Sequence, residues 1–236
     1  MTWCRTRPSW SSSIERYAFR VTLDRARLAH ASVALVAIFA LLLQLVLVVQ
    51  GSAVLVEEDP PGLVTRLGRL VSYFTIQSNL LVAVASVMLA RHPDRTTPWL
   101  RIIRLAGVVG IAVTAVVHFF LLRPLLSLDG ADWAADKLLH MVVPALALLV
   151  WVLAGPRPVV RGRDVVLAMA WPVAWLVWTL VVAQLSGLVP YPFLDAAAEG
   201  WGAVAVACVG VLALMLAVFG LVAWLDRRLP PSPRRT

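Results

Sequence analysis

The sequence predicts an all-α membrane protein, a bundle of six transmembrane helices with both chain ends on the cytoplasmic side. Three observations carry this. The 236 residues are 61% apolar, with a mean hydropathy of +0.85, whereas a soluble domain is usually about half apolar. Only 14% are charged, and these gather in short clusters between long apolar runs. The clusters also alternate along the chain between basic and acidic.

The apolar runs are 28–49, 70–90, 102–122, 138–154, 165–185 and 202–225. Each is close to the roughly 20 residues that cross a hydrocarbon core as a helix. The first is too long for a cleavable signal and five more follow it. The second is the most polar. The fourth is the shortest, so its helix is expected to begin earlier, with Asp132 as N-cap and Trp133 at the interface. In the fifth, Pro172 predicts a kink. Trp171, Trp175 and Trp178 form an i, i+4, i+7 stripe that reads as packing or lipid contact. Residues 1–27 and 226–236 read as basic tails, leaving no stretch long enough for a soluble domain. Cys4 lies in the first tail and Cys208 in an apolar run, so a disulfide between them is not expected.

Orientation follows from the arginines. All but four of the 21 basic residues fall in the tails or in the second-to-third and fourth-to-fifth connections. The exceptions are Arg66, Arg69, Arg123 and Lys137. Most acids lie on that opposite side: Glu57, Glu58, Asp59, Asp129, Asp132, Asp136, Asp195 and Glu199. Under the positive-inside rule this predicts cytoplasmic termini. It also accounts for the net charge of +8 through arginines facing anionic headgroups, without nucleic acid.

Polar side chains inside apolar runs are costly and therefore informative. Ser72, Thr75, Asn79 and Ser86 share one face of the second run by helical spacing. On spacing alone the set reads as a packing face against neighbouring helices more than as a site. Of the histidines, His30 and His92 are expected at the cytoplasmic interface, and His118 and His140 near the outer ends of the third and fourth spans. Thr75 lies about five residues, roughly 8 Å, inside its run. A hydroxyl and two imidazoles from three helices thus share one layer. Asp136 precedes His140 by one helical turn and is placed to orient its ring. A hydroxyl becomes a nucleophile when such a base reaches it. The connection before the sixth run, Pro190-Tyr191-Pro192-Phe193-Leu194-Asp195, is stiffened by two prolines. It reads as an interfacial anchor or as a cap over the layer.

Tyr73-Phe74-Thr75-Ile76 with Asn79-Leu80, then His140 with Pro144, then Tyr191-Pro192-Phe193-Leu194-Asp195 resemble, in that order, the androgen-induced membrane hydrolases. These are six-span threonine hydrolases of fatty acid esters of hydroxy fatty acids. The resemblance spans the second to sixth runs. It implies Thr75 as nucleophile, His140 as base, and an amphipathic lipid ester entering from the outer leaflet. Asn79, Tyr191, Asp195 and His118 are the expected substrate-side residues. No metal and no cofactor is assigned. The animal members carry an acid soon after the threonine, where this chain has Gln77, Ser78 and Asn79. Two other readings stay open: a non-enzymatic membrane protein or small transporter, and a haem-binding electron carrier using His118 with His140 and His30 with His92.

Overall fold

The computed structural model describes residues 9–52, 61–157, 159–186 and 189–231. Eight α-helices follow in order: α1 Ser9–Gln50, α2 Leu63–Ser72, α3 Phe74–Arg91, α4 Pro98–Val117, α5 Gly130–Lys137, α6 Val143–Ala154, α7 Gly162–Ser186 and α8 Ala196–Arg228. Two π-helical turns, His118–Leu122 and Leu138–Val142, extend α4 and join α5 to α6. No strand occurs among the described residues. Six helical stretches are long and apolar enough to cross a membrane, so the protein is a multi-pass α-helical membrane protein. Cys4, Arg5, Arg7, Glu57, Glu58, Asp59, Arg234 and Arg235 lie outside the described residues.

α4 is the central helix. It packs against α3, α6, α7 and α8, while α1 closes the bundle by packing on α3 and α6. Its residues 104–114 are buried without interruption. Close approach to α3 and α7 depends on small residues. A Cβ added at Gly110 would lie 2.8 Å from the Ser78 hydroxyl and 3.0 Å from the Trp171 ring. α7 and α8 both rest on α4 but make little direct contact with each other.

Several boundaries differ from the expected ones. α1 begins at Ser9 and runs through the segment expected to be a tail. The fourth span does start early, but at Gly130 with Asp129 in the N-cap position; Asp132 instead accepts a short hydrogen bond from Ser52. The second span is not one helix. The chain breaks at Tyr73, which is extended (φ −67°, ψ 128°), and α3 starts afresh at Phe74. Ser72 therefore lies on α2, where its hydroxyl donates to Gly68 O, and does not share a helix face with Thr75. No proline or glycine marks this break. Distant side chains hold it open by taking the backbone groups it frees. The Trp175 indole donates to Ser72 O at 2.8 Å, the Gln77 amide donates to Val71 O at 3.0 Å, and the Phe74 N–H donates to the Tyr191 hydroxyl at 3.0 Å.

At the end of the bundle that carries the termini, the arginines turn inward. Arg101 pairs with Asp164 through two hydrogen bonds, at 2.8 and 3.2 Å. Arg104 is buried, donates to Pro156 O at 3.1 Å and, like Arg157, lies over the Trp151 ring. Burial lowers the Arg157 pKa. Asp226 accepts from the Val159 and Val160 amides. These cations were expected to face headgroups. They instead clamp α4 to the α6–α7 connection. His30, expected at the interface, is also buried and meets Ala154 O at 3.3 Å, whereas His92 is exposed.

Candidate active site

The break at Tyr73 puts Thr75 in the first turn of α3, at a helix N-terminus and not in mid-helix. Amides of a first helical turn have no acceptor within the helix, and the dipole makes that end positive. The Thr75 hydroxyl lies 3.3 Å from His140 Nε2. His140 Nδ1 lies 3.0 Å from Asp136 Oδ1 and also 3.0 Å from the Asp136 backbone carbonyl. The second carboxylate oxygen of Asp136 accepts from Lys137 Nζ at 2.9 Å. Thr75 and Asp136 are buried, and the His140 side chain is 14% exposed. Hydroxyl, imidazole and carboxylate thus follow one another in contact, with the ring facing one carboxylate oxygen and the backbone carbonyl of Asp136.

His118 completes the group. Its ring stacks on His140, with centroids 3.8 Å apart and planes 11° from parallel. Its Nε2 meets Asp136 Oδ1 at 3.4 Å, in a geometry short of a hydrogen bond, and neither ring nitrogen makes one. Both histidines sit in π-helical turns. Such turns shift side chains by a fraction of a turn and occur often at functional sites. Periodicity read from the sequence assumes a regular helix and misses them. The same face-to-face stack leaves no room for a porphyrin between the two imidazoles, so they are not placed as a pair of axial haem ligands.

The other expected site residues divide. Tyr191 is buried; its hydroxyl accepts the Phe74 N–H and faces the Thr75 hydroxyl and amide. Burial pushes the phenol pKa up to about 12, which keeps it a proton donor. Its ring packs edge-on against Tyr73 and Trp175, so the Tyr-Pro-Phe-Leu string folds back over the start of α3. Asp195 borders the same hollow as Thr75 and His140, with one carboxylate oxygen engaged elsewhere. It is the N-cap of α8, accepting from the Ala197 and Ala198 amides at 2.9 and 3.1 Å, as aspartate does at helix starts. Asn79 does not reach the site surface. It is fully buried and donates to Thr75 O and Leu139 O, tying α3 to the turn that carries His140. The chain matches no protein-family model, no curated protein and no solved structure.

Two hollows meet at Thr75. One, of about 690 Å³, is lined by Thr75, His118, Asp136 and His140, and by Arg66 and Arg69 of α2. The other, of about 90 Å³, is an apolar cleft between α4, α7 and α8 that reaches from Tyr191 past Cys208 to Met215. Thr75 and Tyr191 line both. Because α7 and α8 barely touch, the cleft opens sideways between them, where exposed Val173 and Leu212 lie. The nucleophile candidate therefore stands at a boundary between a roomy chamber of mixed lining and an apolar slot.

Proposed function

We propose that this protein is a membrane hydrolase that cleaves amphipathic lipid esters through Thr75, with His140 as general base and Asp136 holding the imidazole. The observation that carries the reading is the chain of contacts from Thr75 through His140 to Asp136, set where a roomy chamber bordered by Arg66 and Arg69 meets an apolar cleft. With the proton on Nδ1 and donated to Asp136, Nε2 is free to accept from the Thr75 hydroxyl. A 3.3 Å separation is ordinary for such a pair before substrate binds. The acyl chain enters the cleft sideways from the bilayer, and the leaving group occupies the larger chamber.

Attack of Thr75 Oγ1 on the carbonyl carbon moves its proton to His140 and forms a tetrahedral oxyanion. The Tyr191 phenol, fixed beside Thr75 by the Phe74 amide, is the donor at hand for that charge. Collapse expels the alcohol, which takes the proton from His140, and leaves an acyl-threonine. Water, deprotonated by the same ring, then releases the acid. In this reading Asn79 is a positioning residue that fixes Thr75 against the His140 turn.

The reading includes a place. The arginine asymmetry argues for the cytoplasmic membrane, with both termini inside and the chamber toward the outer leaflet. Membrane lipids are the expected partners, and nucleic acid is not. Activity-based labelling with a fluorophosphonate probe in membranes tests the chemistry. The adduct should map to Thr75 and vanish in Thr75→Ala and in His140→Ala, and the two losses should not add. Labelling that survives in Thr75→Ala would refute the assignment.

A further inference from the structure

We infer that His118, Asp136 and His140 form a zinc site, and that zinc bound there switches the threonine chemistry off. The first ground is His118 itself. A buried polar ring costs free energy unless it is partnered, yet His118 is 2% exposed and neither nitrogen has a hydrogen bond. Its Nε2 is nevertheless aimed at the one carboxylate oxygen that Lys137 leaves open.

The second ground is geometry. One donor atom from each of the three residues lies within 4.8 Å of the other two. Asp136 Oδ1 stands 3.0 Å from His140 Nδ1 and 3.4 Å from His118 Nε2. Around a tetrahedral zinc with bonds near 2.0–2.1 Å, neighbouring donor atoms are about 3.3–3.4 Å apart; the His118 ring must turn out of its stack on His140 for both in-plane lone pairs to meet the ion. Two imidazole nitrogens and one carboxylate oxygen are a common zinc donor set, and it leaves a fourth position open. All three side chains border the 690 Å³ chamber, which supplies an access route and room for water as the fourth ligand. Lys137 stays on Asp136 Oδ2 and fixes the carboxylate as an outer partner.

The consequence for turnover follows from proton count. In the hydrolytic form the imidazole proton sits on Nδ1, and Nε2 accepts. Zinc on Nδ1 displaces that proton, so the neutral ring must carry its one proton on Nε2. That N–H then donates to the Thr75 oxygen and cannot take a proton from it. Zinc and hydrolysis are therefore mutually exclusive at His140.

The test uses full-length protein in lipid nanodiscs, with Zn²⁺ as the only probe. Metal content after dialysis and calorimetric titration should give one zinc per chain for the wild type and for Thr75→Ala, which lacks the proposed nucleophile but keeps all three ligands. His118→Gln and Asp136→Asn should each weaken binding by about a hundredfold or more, with unchanged elution as monodisperse protein. Co²⁺ in place of zinc should give the visible absorption of a tetrahedral site in the wild type and in Thr75→Ala, and in neither ligand variant. Wild-type protein binding zinc no better than His118→Gln would overturn the inference, and that comparison does not depend on turnover. Zinc binding by a protein whose zinc-free form never labels at Thr75 would sink the hydrolase reading and leave the site standing. Labelling that zinc does not suppress in the bound protein would overturn the switch.

Discussion

Asp136→Asn gives the sharpest test of the proposed triad, because it changes the proton on His140 while leaving the shape of the site. In the wild type Asp136 Oδ1 is an acceptor 3.0 Å from His140 Nδ1. An asparagine amide placed there can present N–H instead, which favours the tautomer with its proton on Nε2. That nitrogen faces the Thr75 hydroxyl at 3.3 Å and would then donate where it must accept. The same change in a Ser-His-Asp protease lowers kcat by about 10⁴-fold, or about 5.5 kcal/mol of transition-state stabilisation. The expected loss here is of that order in kcat, with little change in KM. Lys137 loses its ion pair, but its side chain is 23% exposed and stays hydrated, so the fold should survive. The assay is the rate of probe labelling and ester turnover in nanodiscs, with thermal unfolding as the control for folding. Activity within tenfold of the wild type would refute the reasoning. The Asp136 backbone carbonyl, also 3.0 Å from Nδ1, would then suffice to hold the ring.

Other expectations follow from single contacts. Gly155→Ala puts a Cβ 1.6 Å from the position of Arg104 Nη2; the guanidinium must swing aside and lose its bond to Pro156 O, at a cost of about 1.5–3 kcal/mol, read as a lowered melting temperature. Tyr191→Phe orphans the Phe74 N–H and should cost about 1–3 kcal/mol, together with slower labelling. The folded Tyr191 phenol titrates near 12 against an ordinary 10.0, so burial of the neutral form stabilises the fold fully below pH 10. That stability is lost as pH rises toward 12, and Tyr191→Phe should flatten the fall in melting temperature over this window. The apolar cleft of about 90 Å³ holds roughly six to nine water-sized groups at about 10–15 Å³ each. Cys208→Trp should therefore cut kcat/KM for octanoyl esters at least about tenfold while sparing acetyl esters; equal effects on both would show that the acyl chain lies elsewhere.

Sequence alone determined the fold class, because that question is settled by composition over long windows. Twenty-residue apolar runs in a chain this poor in charge have no stable arrangement except as membrane helices, whichever residues lie next to which. It also picked out Thr75, His140 and Asp136, since a hydroxyl, an imidazole and a carboxylate in one layer of an otherwise apolar bundle are rare enough to stand out. Tertiary structure decided where these residues stand relative to one another. The break at Tyr73 carries no proline or glycine. It exists because Trp175, Gln77 and Tyr191, two of them about a hundred positions away, take the backbone groups it exposes, and this turns Thr75 from a mid-helix residue into a helix N-terminus. The π-turns that stack His118 on His140 are likewise invisible to a 3.6-residue period. Asp195 and Asn79 looked like site residues by type, yet one caps α8 and the other bridges two helices, because a polar side chain bonds to whichever backbone group the fold brings nearest. The arginines show the same division. Their asymmetry along the chain predicts an orientation, but only packing against Trp151 and Asp164 decides that several of them turn into the protein and away from the headgroups.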